Sequence, residues 1–284
     1  QYIPTFGYNY KDHKYVINEK EAKKMLKEKT YVPSPYFKIK ILDGARKKER
    51  IIYKPQFYPD QVIHWALMLN LEPILQNSMY EFCCASIKKR GIHYGKRHLE
   101  RILQNDRKNT KYCLKLDIRH FYPSIDKEIL KQKFRKKIKD KDTLWLIDKI
   151  IDSSESGVPI GNYTSQWFAN FYLEDLDHYI KEKLKVKHYI RYMDDMVLFS
   201  NNKKELHKIR IEIDNFVKKE HLTIKDNWQL FKTESRPLDF LGYRFNRDPK
   251  TKEVYTTLRN SNFLRFKRRI KKINKKIAIN VANG

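Results

Sequence analysis

The clearest alternation of apolar and polar positions lies near the middle of the chain. Lys111-Tyr112-Cys113-Leu114-Lys115-Leu116-Asp117-Ile118 places Tyr112, Leu114, Leu116 and Ile118 on one side, the period of a strand packed on a core. Asp117 falls near its C-terminal end. Farther on, His188-Tyr189-Ile190-Arg191 and Met196-Val197-Leu198-Phe199-Ser200 are short β-rich runs separated only by Tyr192-Met193-Asp194-Asp195. That predicts a hairpin with two carboxylates at its tip. Tyr36 to Ile41 and Arg50 to Lys54 predict another hairpin, turning at Asp43-Gly44, with basic residues on one face. Leu238 to Phe245 reads as a strand or tight hairpin bent at Gly242.

Helical spacing predicts the remaining elements. One helix runs from about 18 to 29, with Asn18 as cap and Glu19 and Glu21 in its first turn. A second covers 60 to 80, with Pro73 starting a new turn. Residues 126 to 152 form a basic amphipathic stretch whose seven cations between Lys131 and Lys141 read as a solvated outer face. The loop Gly157-Val158-Pro159-Ile160-Gly161 leads into a helix whose apolar stripe includes Trp167, Phe168, Phe171, Leu173, Leu176, Tyr179 and Ile180. Further helices are expected at 203 to 220 and from Phe263 to Lys276.

A chain of 284 residues permits one large or two modest domains with a substantial core. Its 61 Lys and Arg against 34 acids leave a formal charge of +27, spread along the chain, which points to a polyanionic partner. With 19 Tyr and 15 Phe it is not a disordered basic protein. The three cysteines have neither metal-ligand spacing nor an even count, and a reducing cytoplasm fits them best. No apolar run of about eighteen residues predicts a membrane span, and no signal-peptide pattern is present.

Adjacent aspartates repel, and a fold keeps them together at a cost unless a cation neutralises them. Mg²⁺ suits such a site, because it takes one or two carboxylates plus substrate phosphates. Taken alone, the pair also reads as a solvated turn, and Asp117 as a strand-end carboxylate before two core aromatics. Lys88-Lys89-Arg90-Gly91 offers cations and flexible backbone ahead of a helix start, an arrangement that holds phosphates but is weak evidence by itself. Gly161 would let a base pair or sugar approach the backbone. The last helix carries Arg265, Lys267, Arg268, Arg269, Lys271, Lys272, Lys275 and Lys276 without one acid, and a nucleic-acid backbone is its better partner than a membrane surface. Strand, long helical connection and Asp-Asp hairpin is the order of a polymerase palm. There, three carboxylates hold two metals that clamp the attacking 3′-oxygen and the leaving pyrophosphate.

Over almost its whole length the chain resembles a reverse transcriptase. Ile51 to Gln61 and Cys83 to His93 resemble the family's first two blocks, and Leu116 to Ile125 its first catalytic block. Gly157 to Leu173 resembles the glycine-loop block, Tyr192 to Asp195 is similar to the catalytic tetrapeptide, and Phe240-Leu241-Gly242-Tyr243 resembles the primer grip. The resemblance implies an α+β right-hand polymerase fold: fingers 1–110, palm 111–245 with 131–152 as a helical excursion, and thumb 246–284. It implies two Mg²⁺ ions, with Mn²⁺ as a substitute, at Asp117, Ile118, Asp194 and Asp195. Incoming deoxynucleotides would meet Lys88, Arg90, Tyr122, Ile160, Gly161, Gln166 and Lys232, with Tyr122 as the steric gate against a ribose 2′-hydroxyl. Arg265, Lys267, Arg268, Arg269, Lys271 and Lys272 would follow the duplex backbone.

The glycine loop departs from the common bacterial pattern of Pro-Gln-Gly followed by Ser-Pro. Pro159-Ile160-Gly161 followed by Ser165-Gln166 resembles the enzymes of diversity-generating retroelements, whose products carry substitutions at template adenines. That resemblance implies a template RNA, an RNA/DNA duplex and a small basic accessory protein as partners, in a bacterial or phage-encoded cytoplasmic enzyme. Retron-like and antiphage-defence reverse transcriptases remain the alternative. A catalytically dead RNA-binding scaffold is opposed by the intact Asp117, Tyr122, Asp194 and Asp195; the bulk of Tyr122 argues for a DNA product over an RNA polymerase, and an untemplated terminal transferase is separated by nucleotide use with and without template.

Overall fold

The structure, a computed structural model, describes residues 8–9, 14–15, 19–43 and 48–282. It opens with a small hairpin, β1 (Tyr8–Asn9) and β2 (Lys14–Tyr15), then α1 (Glu19–Lys27) and the long hairpin β3 (Phe37–Asp43) and β4 (Lys48–Lys54). The predicted turn at Gly44 lies outside the described residues. Helices α2 (Val62–Ser78) and α3 (Ile92–Asn105) follow, then β5 (Tyr112–Asp117), the short α4 (Phe121–Ser124), α5 (Lys127–Lys137) and α6 (Lys141–Asp152). Next come α7 (Tyr163–Tyr172), α8 (Glu174–His178), β6 (His188–Tyr192), β7 (Asp195–Ser200) and α9 (Lys203–Lys219). The chain continues through β8 (Gln229–Lys232), β9 (Leu238–Phe240), β10 (Tyr243–Arg247), β11 (Val254–Leu258) and α10 (Asn260–Ala282).

The centre is an antiparallel sheet in the order β6-β7-β5-β8. The alternation in β5 predicted one core face, but both faces are covered. Leu114, Leu116 and Ile118 join Phe134, Phe168, Leu206 and Ile213 in the larger core. Cys113, Ile190, Val197 and Phe199 join Leu99 and Leu103 of α3 and Phe240 and Phe245 of the β9–β10 hairpin in a second one. Helix α3 and a second sheet, β11-β10-β9, cover that second face.

Three helical expectations change. Pro73 sits inside α2 rather than starting a new turn; Leu69, whose carbonyl loses its helical donor to the proline, lies on the solvent-exposed side of the helix. The 126–152 stretch is two helices, because Asp126 caps one and Asp140 caps the other through Thr143 N at 2.7 Å. The helix expected through Ile180 breaks at Leu173 into α7 and α8, then a π-turn. The basic face of α5 is also not a free solvated one. Lys131 and Lys133 are only 8% and 6% exposed, and acids of α6, α8 and the α9 terminus meet them: Lys131–Asp152 2.7 Å, Lys133–Asp175 2.5 Å, Lys133–Glu220 3.1 Å. Arg135–Asp148 and Lys137–Glu174 complete the seam at 2.6 and 2.8 Å.

Leu238 to Arg247 is a tight hairpin. Leu241 and Gly242 both take positive φ, 54° and 81°, as a primed two-residue turn requires. Strand β11 had no sequence expectation, and α10 is longer than predicted, with residues 263–275 exposed. Among the described residues no helix is long and apolar enough to cross a membrane.

Candidate active site

Strand register assembles the carboxylates. Asp117, the last residue of β5, lies opposite Asp195, the first of β7, and Tyr192 of β6 lies opposite the same Asp195. Met193 and Asp194 therefore form a two-residue turn, with Met193 at φ 53°. A left-handed methionine is unusual and needs support. Arg191 supplies it: the fully buried guanidinium donates to Met193 O at 3.0 Å, Asn170 Oδ1 at 3.1 Å and Asp177 at 2.5 and 2.8 Å. Tyr189 donates its hydroxyl to the same Asp177 at 2.7 Å. Helices α7 and α8 thus hold the turn from behind.

Burial pushes the Asp194 carboxyl up to about 7, with the Asp117 charge adding to the effect. Burial also raises Asp195, opposed chiefly by Lys115. Two ammonium groups stand among these acids. Lys225 Nζ donates to Asp117 Oδ1 at 2.5 Å, and Lys115 Nζ lies 3.5 Å from Asp195 Oδ1, a buried oxygen with no hydrogen-bond donor. Lys225 is fixed because its backbone N–H donates to Asp117 O at 2.8 Å, beside the Ile118–Ile224 bridge. Ile118 is buried at this joint.

The three aspartates open onto a cleft of about 820 Å³, also lined by Arg50, Ile51 and Tyr53 of β4, Tyr122, Ile160 and Lys225. Tyr122 sits on α4 with its hydroxyl 3.6 Å from Met193 Sδ. The glycine loop is pressed against it: Val158 N donates to Tyr122 O at 3.0 Å, and a Cβ on Gly157, whose φ is 52°, would lie 2.1 Å from that oxygen. At the other end, Tyr53 N donates to Ile160 O at 2.7 Å, and a Cβ on Gly161 would meet Ile52 Cγ2 at 2.5 Å. The close approach that Gly161 permits is therefore to strand β4. Behind the loop, Asn162 joins His64 at 3.0 Å and Tyr36 at 3.2 Å, and Tyr31 donates to buried Asp60 at 2.8 Å.

Asp117, Asp194, Asp195, Tyr122 and Ile160 thus share one cleft, whereas Lys88, Arg90, Gln166 and Lys232 do not line it. Arg90 spends its guanidinium on the carbonyls of Met79 and Tyr80, at 3.5 and 3.3 Å, and Lys88 and Gln166 are exposed elsewhere. Lys232 pairs with Tyr112, five residues of strand from Asp117, or about 17 Å. Lys225 stands at the cleft in its place. In the 240–243 turn, Phe240 is buried with Lys115 Nζ 5.8 Å from its ring centre, and Leu241 abuts Gly95 of α3. Gly242 O accepts from Arg259 N and Asn262 Nδ2 at the start of α10, and the Tyr243 hydroxyl lies 3.4 Å from His93. The cations Arg265, Lys267, Arg268, Arg269, Lys271 and Lys272 are all exposed on α10.

Sequence reasoning passes over Lys115, Arg191 and Lys225. Two of them carry a signal: Lys115 shares a strand face with Asp117, and Arg191 interrupts an otherwise apolar run, so a buried partner has to exist. Among the described residues no three His, Cys, Asp or Glu side chains already stand in a metal-holding cluster. The donor set still fits a hard divalent cation: three adjoining carboxylates, one with an oxygen lacking a donor, on a cleft that would admit substrate phosphates.

A family model described as reverse transcriptase (RNA-dependent DNA polymerase) matches residues 45–245. The retron Ec73 reverse transcriptase of Escherichia coli is 34% identical over 176 residues, covering 57% of this chain and 53% of that protein. The group II intron-encoded protein LtrA of Lactococcus lactis is 27% identical over 184 residues, covering 60% and 30%. The chain thus spans about half the length of the retron relative and less than a third of LtrA. In shape it is similar to telomerase from Candida albicans in complex with a TWJ fragment of telomeric RNA, with TM-score 0.61 and 14% identity over 81% of this chain and 46% of that one. Apo telomerase from Candida tropicalis, truncated from the C-terminal domain, gives 0.56 at 15% identity over 84% and 60%. These structures share the right-hand polymerase fold. With the family model matching most of its length, the chain belongs to the reverse transcriptase (RNA-dependent DNA polymerase) family.

Proposed function

We propose that the chain is an RNA-directed DNA polymerase that extends a primer along a template RNA. One observation carries this: strand register sets Asp117 opposite Asp195, with Asp194 at the adjoining turn and Tyr122 in the same cleft. Asp117, Asp194 and Asp195, with the Ile118 backbone, would hold two Mg²⁺ ions, which supply charge stabilisation for the attacking oxygen and the departing pyrophosphate. Tyr122 fills the space a 2′-hydroxyl needs, and so selects deoxynucleotides. Arg50 and Lys225 face the triphosphate side, the 240–243 turn aligns the primer end, and the exposed cations of α10 follow the duplex. The test is incorporation on poly(rA) primed with oligo(dT). Template-dependent use of dTTP over UTP, with UTP use rising in Tyr122→Ala, supports the assignment; equal use of both nucleotides, or synthesis without template, overturns it.

Within that activity, we place the chain with the diversity-generating retroelement enzymes, acting with a structured template RNA and a small basic accessory protein. Support comes from Pro159-Ile160-Gly161 and from Ile160 lining the cleft beside Tyr122. An isoleucine offers no hydrogen bond to the incoming sugar. Losing one neutral hydrogen bond is worth about 0.5 to 1.5 kcal/mol, roughly two- to twelvefold in selection, and weak adenine–thymine pairs have least to spare. Ile160→Gln is expected to lower misincorporation opposite template adenine relative to the other bases. A wild-type enzyme already accurate at adenine refutes this assignment. The retron-like reading then stands, and the 34% identity to the retron enzyme is the observation that favours it.

A further inference from the structure

The metal-ligand reading of the three aspartates leaves two lysines among them unexplained. Lys225 Nζ lies 2.5 Å from Asp117 Oδ1 and Lys115 Nζ 3.5 Å from Asp195 Oδ1, with side chains 34% and 20% exposed. Neither depends on its aspartate's carboxylate for anchorage. Lys115 also donates to Asp239 O at 2.9 Å and lies beside the Phe240 ring, and Lys225 is tied down through its own backbone N–H. Fully ionised, the three carboxylates and two ammonium groups carry one net negative charge. We propose that Lys225 and Lys115 are resident counterions of the carboxylate cluster, holding it folded without metal and yielding when divalent cations enter.

The inference rests on the proposed metal role of Asp117, Asp194 and Asp195, and it assigns each lysine a destination. An ammonium group on Asp117 Oδ1 competes with a cation for that oxygen, and like charges repel at such distances. Lys225 lines the cleft and swings toward the polyanionic nucleotide. Lys115 keeps its bond to Asp239 O, so charge at Asp195 is linked mechanically to β9, the strand that carries the primer-grip turn. The arrangement has an unusual consequence. Removing a lysine that merely braces the site loosens the ligands and weakens metal binding; removing a counterion that metal must displace strengthens it.

The probe is Mn²⁺ alone, titrated into the whole chain without nucleotide or primer, with free ion read by electron paramagnetic resonance. Lys225→Met is expected to bind Mn²⁺ about fivefold tighter, the size of one partly exposed ion pair. Its metal-free melting temperature should fall and its Mn²⁺-induced rise should exceed that of the wild type. Lys225→Gln serves if the methionine variant does not fold, and Lys225→Arg, which keeps the charge, should match wild type. Unchanged or weaker binding in Lys225→Met and Lys115→Met overturns the counterion role and leaves the metal site standing. If wild-type protein and Asp117→Asn alike bind no Mn²⁺, both the counterion role and the metal reading fall.

Discussion

Arg191→Met tests what holds the catalytic turn. Arg191 and Asp177 are both fully buried, and the guanidinium makes its bonds to Asp177, Asn170 and the Met193 carbonyl entirely inside the protein. Methionine has similar length but no donors, so Asp177 is left charged in the interior with only the Tyr189 hydroxyl to serve it. Removing one partner of a buried pair costs about 3 to 5 kcal/mol. At about 2 °C per kcal/mol for a chain of this length, the melting temperature should drop by about 6 to 10 °C. Arg191→Met/Asp177→Asn removes both charges while the amide oxygen still accepts from Tyr189, so it should regain more than half of that loss. It does not restore the donor to Met193 O, and the turn stays unsupported. Primer extension should therefore remain down by about a hundredfold in the double variant, the scale of a misplacement near 1 Å. Thermal denaturation and primer extension on the wild type and both variants measure all of this. A double variant as unstable as Arg191→Met refutes the buried-pair reasoning, and one with full activity refutes the role of Arg191 at the turn.

Two further outcomes are expected. Asp194 is raised from 3.8 to about 7, so the metal-free folded state keeps a proton that the unfolded chain loses. Its contribution is full below pH about 4, declines to about 7 and then levels off; the wild-type minus Asp194→Asn difference in melting temperature should show that slope, and a flat difference contradicts it. Binding to an RNA/DNA template–primer should weaken steeply with salt. Replacing Arg265, Lys267, Arg268 and Arg269 by Gln should flatten the log–log slope by about 0.7 to 0.9 for each phosphate left unneutralised, and an unchanged slope removes α10 from the interface.

The carboxylate site is legible because its signals are local. Alternation over 111–118 and a four-residue interruption between two β-rich runs place Asp117, Asp194 and Asp195 at strand ends, and antiparallel pairing then brings them together. What surrounds them depends on distant partners. Nothing in the spacing of Lys225 and Lys232 says that the first meets Asp117 and the second pairs with Tyr112; the backbone bridge at Ile118–Ile224 decides it. The cations of α5 look like a solvent face because Asp148, Asp152, Asp175 and Glu220, which bury or pair them, lie on other elements. Gly161 does mark a point of close approach, but the approaching groups are Ile52 and Tyr53, and only the docking of the β3–β4 hairpin reveals that.

The most direct measurement pairs Asp117→Asn and Asp194→Asn with the wild type in Mg²⁺-dependent primer extension on an RNA template. Carboxylate to amide keeps the size and removes the charge. Both variants should keep a cooperative melting transition and the wild-type circular dichroism spectrum while DNA synthesis falls below detection. Folded variants that still extend the primer at near-wild-type rates would contradict the assignment of these aspartates as the polymerase centre.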